Sequence, residues 1–134
     1  MESLWPKLES LTINLPINIL KEQVNHFNSQ MGGRLNCVLE KEVYTRRVIG
    51  ASYDFTATIF ISSPSLPGYR LQLIDVDYSV TKAYPCTVFN CMDDIPSLLG
   101  DTADDSDKFK DILKKIFNSK DVINTLQNLI AQGL

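Results

Sequence analysis

The sequence predicts an α+β fold: an antiparallel four-stranded meander sheet flanked by an N-terminal helix and two C-terminal helices. Apolar residues recur at helical spacing near both ends of the chain, and they alternate at strand spacing between residues 34 and 92. No helical period interrupts this strand-rich middle. Strands that follow one another with short links pair antiparallel, so we expect the helices to pack on one face of a meander.

Apolar stripes and stop signals define the three helices. The first is predicted over residues 17–31 and stops at Gly32-Gly33. Its stripe consists of Leu20, Val24, Phe27 and Met31. The second is predicted over residues 107–118, with acidic residues near its start that suit the helix dipole. Ser119 then caps the last helix, which ends near Gly133.

Alternating apolar residues predict four strands, over residues 35–45, 52–62, 69–80 and 84–92. Lys41 is the exception in the first strand, because it falls on the face that Leu39 and Val43 share. Proline cannot donate a ladder hydrogen bond, so Pro85 predicts that the fourth strand is an edge strand or contains a bulge.

The third strand shows an irregularity in its apolar alternation. Leu71 and Leu73 lie on one face, whereas Ile74 and Val76 lie on the other. A β-bulge near Leu73-Ile74 would return all four side chains to a common inward face. A strand shared between two apolar environments would also fit, but the bulge is favoured.

Length and composition predict one domain over residues 1–134. The chain has 13 basic and 16 acidic residues, and its tightest basic pair is Arg46-Arg47, so no nucleic-acid partner is expected. It begins without a signal-peptide pattern and contains no apolar run long enough for a membrane span. Its three cysteines form no CxxC pair. These features predict a cytoplasmic protein without a membrane partner.

Candidate catalytic groups are few. His26 is the single histidine, lies off its helix's apolar stripe and has no evident partner for general base catalysis, which predicts a surface residue. Cys37, Cys86 and Cys91 lie in strand-like runs, which predicts core packing. With His26 they match a zinc site in number but not in spacing. We therefore expect neither a metal nor another cofactor.

Asp75 and Asp77 share one face of the third predicted strand. Carboxylates at this spacing are able to hold Mg²⁺, but no third acid or lysine follows them in a nuclease-like pattern. The favoured interpretation is a solvated polar face of the sheet. The alternative is the metal site of a small enzyme.

The most polarised segment is a predicted acidic loop over residues 93–107, which contains no lysine or arginine. Its acids do not follow the spacing of a calcium loop. We expect its carboxylates to bind a basic partner protein and to speed association by electrostatic steering. They are Asp93, Asp94, Asp101, Asp104, Asp105 and Asp107.

Five segments of the chain are similar to a known group of proteins. They are ILKEQ at 19–23, SSPSLPGYR at 62–70, AYPCTVF at 83–89, FKDILKKIFNS at 109–119 and LIAQ at 129–132. Over most of its length the chain resembles a group of small, uncharacterised bacterial proteins. The resemblance implies a cytosolic bacterial protein of similar fold. Its motifs are caps, turns and apolar stripes, so it implies no activity and no catalytic residue.

These observations favour a small, non-enzymatic protein-binding module, such as an immunity or antitoxin-like bacterial protein. Two alternatives stay open: a metal-dependent small enzyme that uses Asp75 and Asp77, and a self-associating structural protein. A homodimer would form through the edge of strand 84–92 or through the apolar N-terminal segment around Trp5.

Overall fold

The computed structural model describes residues 1–8, 14–43, 54–79, 81–92 and 100–133. The elements are α1 (Pro16–Met31), β1 (Asn36–Val43), β2 (Phe55–Ser62), β3 (Arg70–Tyr78), β4 (Cys86–Asn90), β5 (Asp101–Ala103), α2 (Ser106–Phe117) and α3 (Lys120–Ala131). The strands form one antiparallel sheet in the order β1-β2-β3-β4-β5. The α+β class, the antiparallel sheet and the three helices are confirmed. The predicted strand residues 44–45, 52–53 and 80 lie outside the described residues.

The three helices begin and end where local chemistry allows. α1 ends at Gly32, whose φ of 58° is the left-handed conformation that glycine adopts at little cost. The Asp105 side chain caps α2 by accepting from the Lys108 N–H at 2.8 Å. The Ser119 hydroxyl caps α3 by accepting from the Val122 N–H at 3.4 Å. None of the helices in the described segments combines the length and the hydropathy that a membrane crossing needs.

The sheet has five strands rather than the predicted four. β5 lies within the predicted acidic loop and pairs with β4, from Cys86 opposite Ala103 to Val88 opposite Asp101. Its three residues are too few to show alternation, and aspartate is depleted in strands, so no local signal marks it. The prediction of an acidic loop is therefore wrong over residues 101–103, which form β5, and at residues 106–107, which begin α2; Asp104 and Asp105 connect the two elements.

The prediction of an edge strand over 84–92 is also wrong. β4 begins at Cys86, directly after Pro85, and lies between β3 and β5. Pro85 thus precedes the hydrogen-bonded ladder instead of interrupting it, so its missing N–H leaves no gap between strands. The edges of the described sheet belong to β1 and β5.

β3 contains the predicted bulge. Ile59 of β2 pairs with Ile74, whereas the following residue, Phe60, pairs with Gln72, so Leu73 is the extra residue. Leu73 and Ile74 are both buried, because the extra residue returns the apolar positions on either side of it to one face. The same change of register places the carboxylates of β3 on the opposite face.

One hydrophobic core lies between the helices and the sheet. Leu20 of α1 and Phe109 of α2 are fully buried in it together with Ile59 of β2. The helices contact the sheet mainly through β1, β4 and β5, all on this inner face. Within the described ranges, no helix covers the other face of the sheet.

The side chain of Asn28 joins α1 to the edge of the sheet. Its amide nitrogen donates to the carbonyl oxygen of Cys37 at 3.0 Å, and its amide oxygen accepts from the Cys37 N–H at 2.7 Å. The amide thus takes the place of a neighbouring strand at this point of β1. It satisfies two edge groups and fixes the position of α1 over the sheet.

Candidate functional site

The face of the sheet away from the helices contains two rows of polar side chains. Directly paired residues on neighbouring strands project from the same face. In each row a carboxylate of β1 and a carboxylate of β3 flank a threonine of β2. We call this surface the acidic face. Its residues are Glu40, Glu42, Thr56, Thr58, Asp75 and Asp77.

Hydrogen bonds orient the two aspartates of the acidic face. The Thr58 hydroxyl donates to Asp75 Oδ1 at 2.6 Å, and the Thr56 hydroxyl donates to Asp77 Oδ1 at 2.7 Å. The Gln72 amide also donates to both oxygens of Asp75, at 3.0 and 2.9 Å. The carboxylates are therefore held in fixed positions on a rigid strand, which lowers the entropy lost when a partner binds them.

The environment of Asp77 is unfavourable for its charge. Burial raises the pKa of this carboxyl; the hydrogen bond from Thr56 opposes the shift, and the charge of Asp75 adds to it. A carboxylate ion kept in a partly desolvated place beside a second acid lowers the stability of the folded chain. Such perturbed groups concentrate at functional sites.

Arg70 is the one cation on the acidic face within the described ranges. Its Nη2 lies 2.8 Å from Glu40 Oε1, and its guanidinium carbon lies 3.7 Å from the centroid of the Phe60 ring. Both charged side chains are about half exposed, so this ion pair contributes little stability. Four carboxylates against one guanidinium give the face a negative potential that attracts cationic groups.

The charge of Asp77 predicts a pH-dependent effect on stability. At neutral pH we expect Asp77→Asn to raise the free energy of unfolding, because asparagine still accepts from Thr56 and removes the poorly solvated charge. The folded-state pKa lies above 3.8, so the wild type loses stability as pH rises through that raised pKa. Urea unfolding at neutral pH and below pH 3.8 checks this. A variant that is less stable than the wild type at neutral pH would contradict it.

The described residues offer no metal centre. No group of three or more histidine, cysteine, aspartate or glutamate side chains is arranged there to hold an ion. The side chains that contact Asp75 and Asp77 are threonine and glutamine donors, whereas Glu40 and Glu42 lie on β1, on the far side of β2. The metal-dependent enzyme considered from the sequence therefore gains no support from this pair.

The cysteines lack the character of nucleophiles. Cys37 and Cys86 are buried as predicted, whereas the prediction of core packing is wrong for Cys91, which is exposed just after β4. Burial raises the pKa of Cys37 and Cys86 to about 12, and partial burial of its sulfur raises the pKa of Cys91 to about 11. A thiol with such a pKa is not a thiolate at neutral pH.

His26 is exposed, as predicted, and lies at a cavity of about 340 Å³ between α1 and the α2–α3 junction. The walls are mostly apolar and include Cys37 and Leu73, while Asn118 lies opposite. No partner for His26 was evident from sequence, and the described structure places no acidic side chain in this cavity. The cavity therefore lacks an acid–base pair.

Two of the six predicted partner-binding aspartates belong to the beginning of α2. Asp105 is its cap, and Asp107 lies in its first turn, where a negative charge stabilises the helix. Their presence is explained by helix formation alone. The predicted residues Asp93 and Asp94 lie outside the described residues.

Asp101 and Asp104, the other two described aspartates of this group, are exposed. Asp101 shares a shallow cavity with Lys108 and Lys115 of α2, so basic side chains neighbour the predicted acidic surface. The charge of this region is therefore mixed, whereas the acidic face is mainly negative.

Glu40 and Glu42 were not predicted to lie on the same surface as Asp75 and Asp77. The alternation of Glu40, Lys41 and Glu42 along β1 was visible, and it places both glutamates on one face. The register between β1, β2 and β3 was not predictable from these strands alone. This register aligns residues more than thirty positions apart.

The N-terminal segment is the most exposed apolar part of the described chain. Residues 1–8 form neither helix nor strand, and Leu4, Trp5 and Leu8 are largely exposed. The self-association hypothesis loses strand 84–92 as an edge, since β4 is paired on both sides. The N-terminal segment remains as the surface through which two copies would associate, and self-association stays a prediction.

Comparison with protein-family models, with curated proteins and with solved structures finds no significant match to this chain. The resemblance to small bacterial proteins therefore stays a prediction.

Proposed function

We propose that the protein is a small, non-enzymatic binding module whose acidic face docks onto a basic surface of another protein in the cytoplasm. The observation that carries this proposal is the double row of carboxylates on the side of the sheet that no described helix covers. Complementary charge accelerates encounter and excludes partners of the wrong sign.

The surroundings of the carboxylates support a protein partner. Val38 is 45% exposed, and the half-buried rings of Phe60 and Phe89 lie on the same face by strand pairing. Protein interfaces combine apolar and aromatic contacts with polar groups in this way. Small cations alone would need no apolar contacts.

The partner that fits this surface presents lysine or arginine side chains on a shallow convex or flat patch. An immunity or antitoxin-like role in a bacterium, in which a small acidic protein covers the basic surface of a toxic one, has this chemistry. The stability lost at Asp77 is then the consequence of keeping a carboxylate where the partner needs it.

Capture with matched variants tests the proposal. The wild type is used as bait in lysate of its source cell, beside a sheet-face variant that keeps side-chain shape but removes four charges. Its substitutions are Glu40→Gln, Glu42→Gln, Asp75→Asn and Asp77→Asn. We expect a stoichiometric basic partner on the wild type and its loss from this variant. With the purified partner, association at low salt should slow by at least about tenfold.

A loop variant with the same change in net charge is the control. It spares the helix cap and replaces the acids near β5 and α2. Its substitutions are Asp101→Asn, Asp104→Asn, Asp107→Asn and Asp111→Asn. We expect it to capture the partner as the wild type does. If only the loop variant lost the partner, the binding site would lie in the acidic segment 93–107 and not on the acidic face. Equal capture by all three proteins would also contradict the proposal.

A further inference from the structure

Another pocket lies at the end of the sheet, beneath the beginning of α1, on the opposite side of the sheet from the acidic face. Its volume is about 200 Å³. Among the described residues its walls are mostly apolar, with three polar side chains. The lining residues are Leu15, Pro16, Ile17, Lys41, Phe55, Tyr78, Ser79 and Ala83.

Lys41 brings a positive charge to this pocket. It occupies an inner-face position of β1, opposite the buried Ala57, where alternation predicts an apolar residue. Its ammonium lies 4.2 Å from the centroid of the Phe55 ring and 6.0 Å from that of Tyr78. It forms no ion pair within the described part of the chain. An aromatic face attracts a cation but leaves it able to pair with an anion.

Tyr78 brings a hydroxyl donor that lacks an acceptor. The residue is 6% exposed, and its hydroxyl oxygen is buried without a hydrogen-bond partner among the described residues. Buried polar atoms are nearly always paired, and Tyr78 lines the pocket, so its unpaired hydroxyl is a donor for an acceptor that enters there. Burial also raises the pKa of Tyr78, which keeps its proton available for donation.

The beginning of α1 adds the positive end of a helix dipole. Leu15 at the cap position has no side-chain oxygen, Pro16 follows it, and the first turn contains no acidic residue. Pro16 has no N–H, and the N–H groups of Asn18 and Ile19 donate to the Leu15 carbonyl oxygen, so the helix dipole and the Ile17 N–H are what this end offers an anion. The Tyr84 hydroxyl donates to the carbonyl oxygen of Asn14 at 2.7 Å and thereby holds the chain that enters the helix.

We infer that this pocket binds the carboxylate of a small organic acid. Its carboxylate pairs with Lys41 and accepts from the Tyr78 hydroxyl at the beginning of α1, and its apolar body lies against Ile17 and Ala83. In the described lining, one cation and apolar walls suit an organic acid better than inorganic phosphate, which needs several donors. The volume is below that of pockets for drug-sized molecules, so the acid is small.

Calorimetric titration with benzoate at fixed ionic strength tests the inference. Benzamide, which has the same shape without the charge, and inorganic phosphate are titrated in parallel. We expect benzoate to bind and to raise the melting temperature. Benzamide and phosphate should bind at least about tenfold more weakly, because each lacks one of the two complementary features, charge or apolar body.

Two variants locate the site. Lys41→Met should weaken benzoate binding at least about tenfold, since it removes a charge-assisted contact. Tyr78→Phe should weaken it about threefold to tenfold, while leaving the melting temperature of the unliganded protein unchanged or higher, because the unpaired hydroxyl is gone. Lys21→Met, which removes an exposed charge outside the pocket, is the control and should bind as the wild type does.

Several results would overturn the inference. They are no benzoate binding at millimolar concentration, equal binding of benzamide or phosphate, and wild-type affinity in both pocket variants. A lower melting temperature for unliganded Tyr78→Phe would show that the hydroxyl already has an acceptor in the protein, which also overturns it.

Discussion

Replacing Gly100 with alanine is expected to destabilise the protein by about 3 kcal/mol and to release β5 from the sheet. Gly100 precedes β5 and has a φ of 62°, where an L-residue costs roughly 1–2 kcal/mol. A Cβ atom there would also lie 2.8 Å from Thr87 Cγ2 and 2.9 Å from the Val88 carbonyl oxygen. The second contact is with backbone of β4, so relief requires the two strands to separate. Denaturant unfolding gives the loss of stability, and amide exchange of β5 gives the release.

Gly68→Ala separates the cost of the positive φ from the cost of the contact between the added Cβ atom and β4. Gly68 also has a positive φ, of 83°, but a Cβ atom would meet nothing within 4 Å. We expect this variant to lose only the stability that the positive φ costs an L-residue, about 1–2 kcal/mol. The amides of β5 should stay protected from exchange. Equal losses at the two glycines would show that the contact with β4 is unimportant and that β5 is not packed as described.

The elements with a local signal were predictable from sequence. A glycine ends α1, and Ser119 caps α3. Each of these features depends only on one residue and its near neighbours in the sequence. The bulge at Leu73 was also visible, since one extra residue reverses the apolar alternation of everything after it. In these cases, the information lies within a few positions of the feature.

β5 and the acidic face were not predictable in the same way. β5 is a strand because β4 offers it backbone partners, and three residues contain no period of their own. The acidic face brings Glu42 beside Thr56 and Asp77 through pairings across two strands. Register of this kind depends on the whole sheet, so single-strand patterns showed only that Asp75 and Asp77 share a face.

Lys41 illustrates an intermediate case. Its break in the apolar alternation of β1 was plain in the sequence and predicted nothing by itself. Its significance comes from what the fold places around it: the uncapped beginning of α1 and the unpaired hydroxyl of Tyr78. A local irregularity thus identified the residue, and tertiary structure supplied the chemistry.

Phe109→Ala is expected to have the largest effect on stability, a loss of about 3–5 kcal/mol. Phe109 is fully buried between α2 and the sheet, so alanine leaves a cavity in the one described core. Its ring also meets the Tyr84 ring edge-on, with centroids 6.4 Å apart and an interplanar angle of 63°. Such a pair adds to the effect of burial alone. Urea unfolding followed by circular dichroism measures the loss.

Phe109→Leu is the matched control, because it keeps most of the apolar volume while removing the aromatic edge contact. We expect it to lose much less stability than alanine, since the residual cavity is small. The difference in stability between the alanine and leucine variants measures how much the side chain at position 109 contributes by filling the core. The stability lost in Phe109→Leu measures mainly the ring contact with Tyr84. That contact matters beyond the core, because the Tyr84 hydroxyl holds Asn14 at the entry to α1. If alanine were no more destabilising than leucine, Phe109 would not fill the core as described.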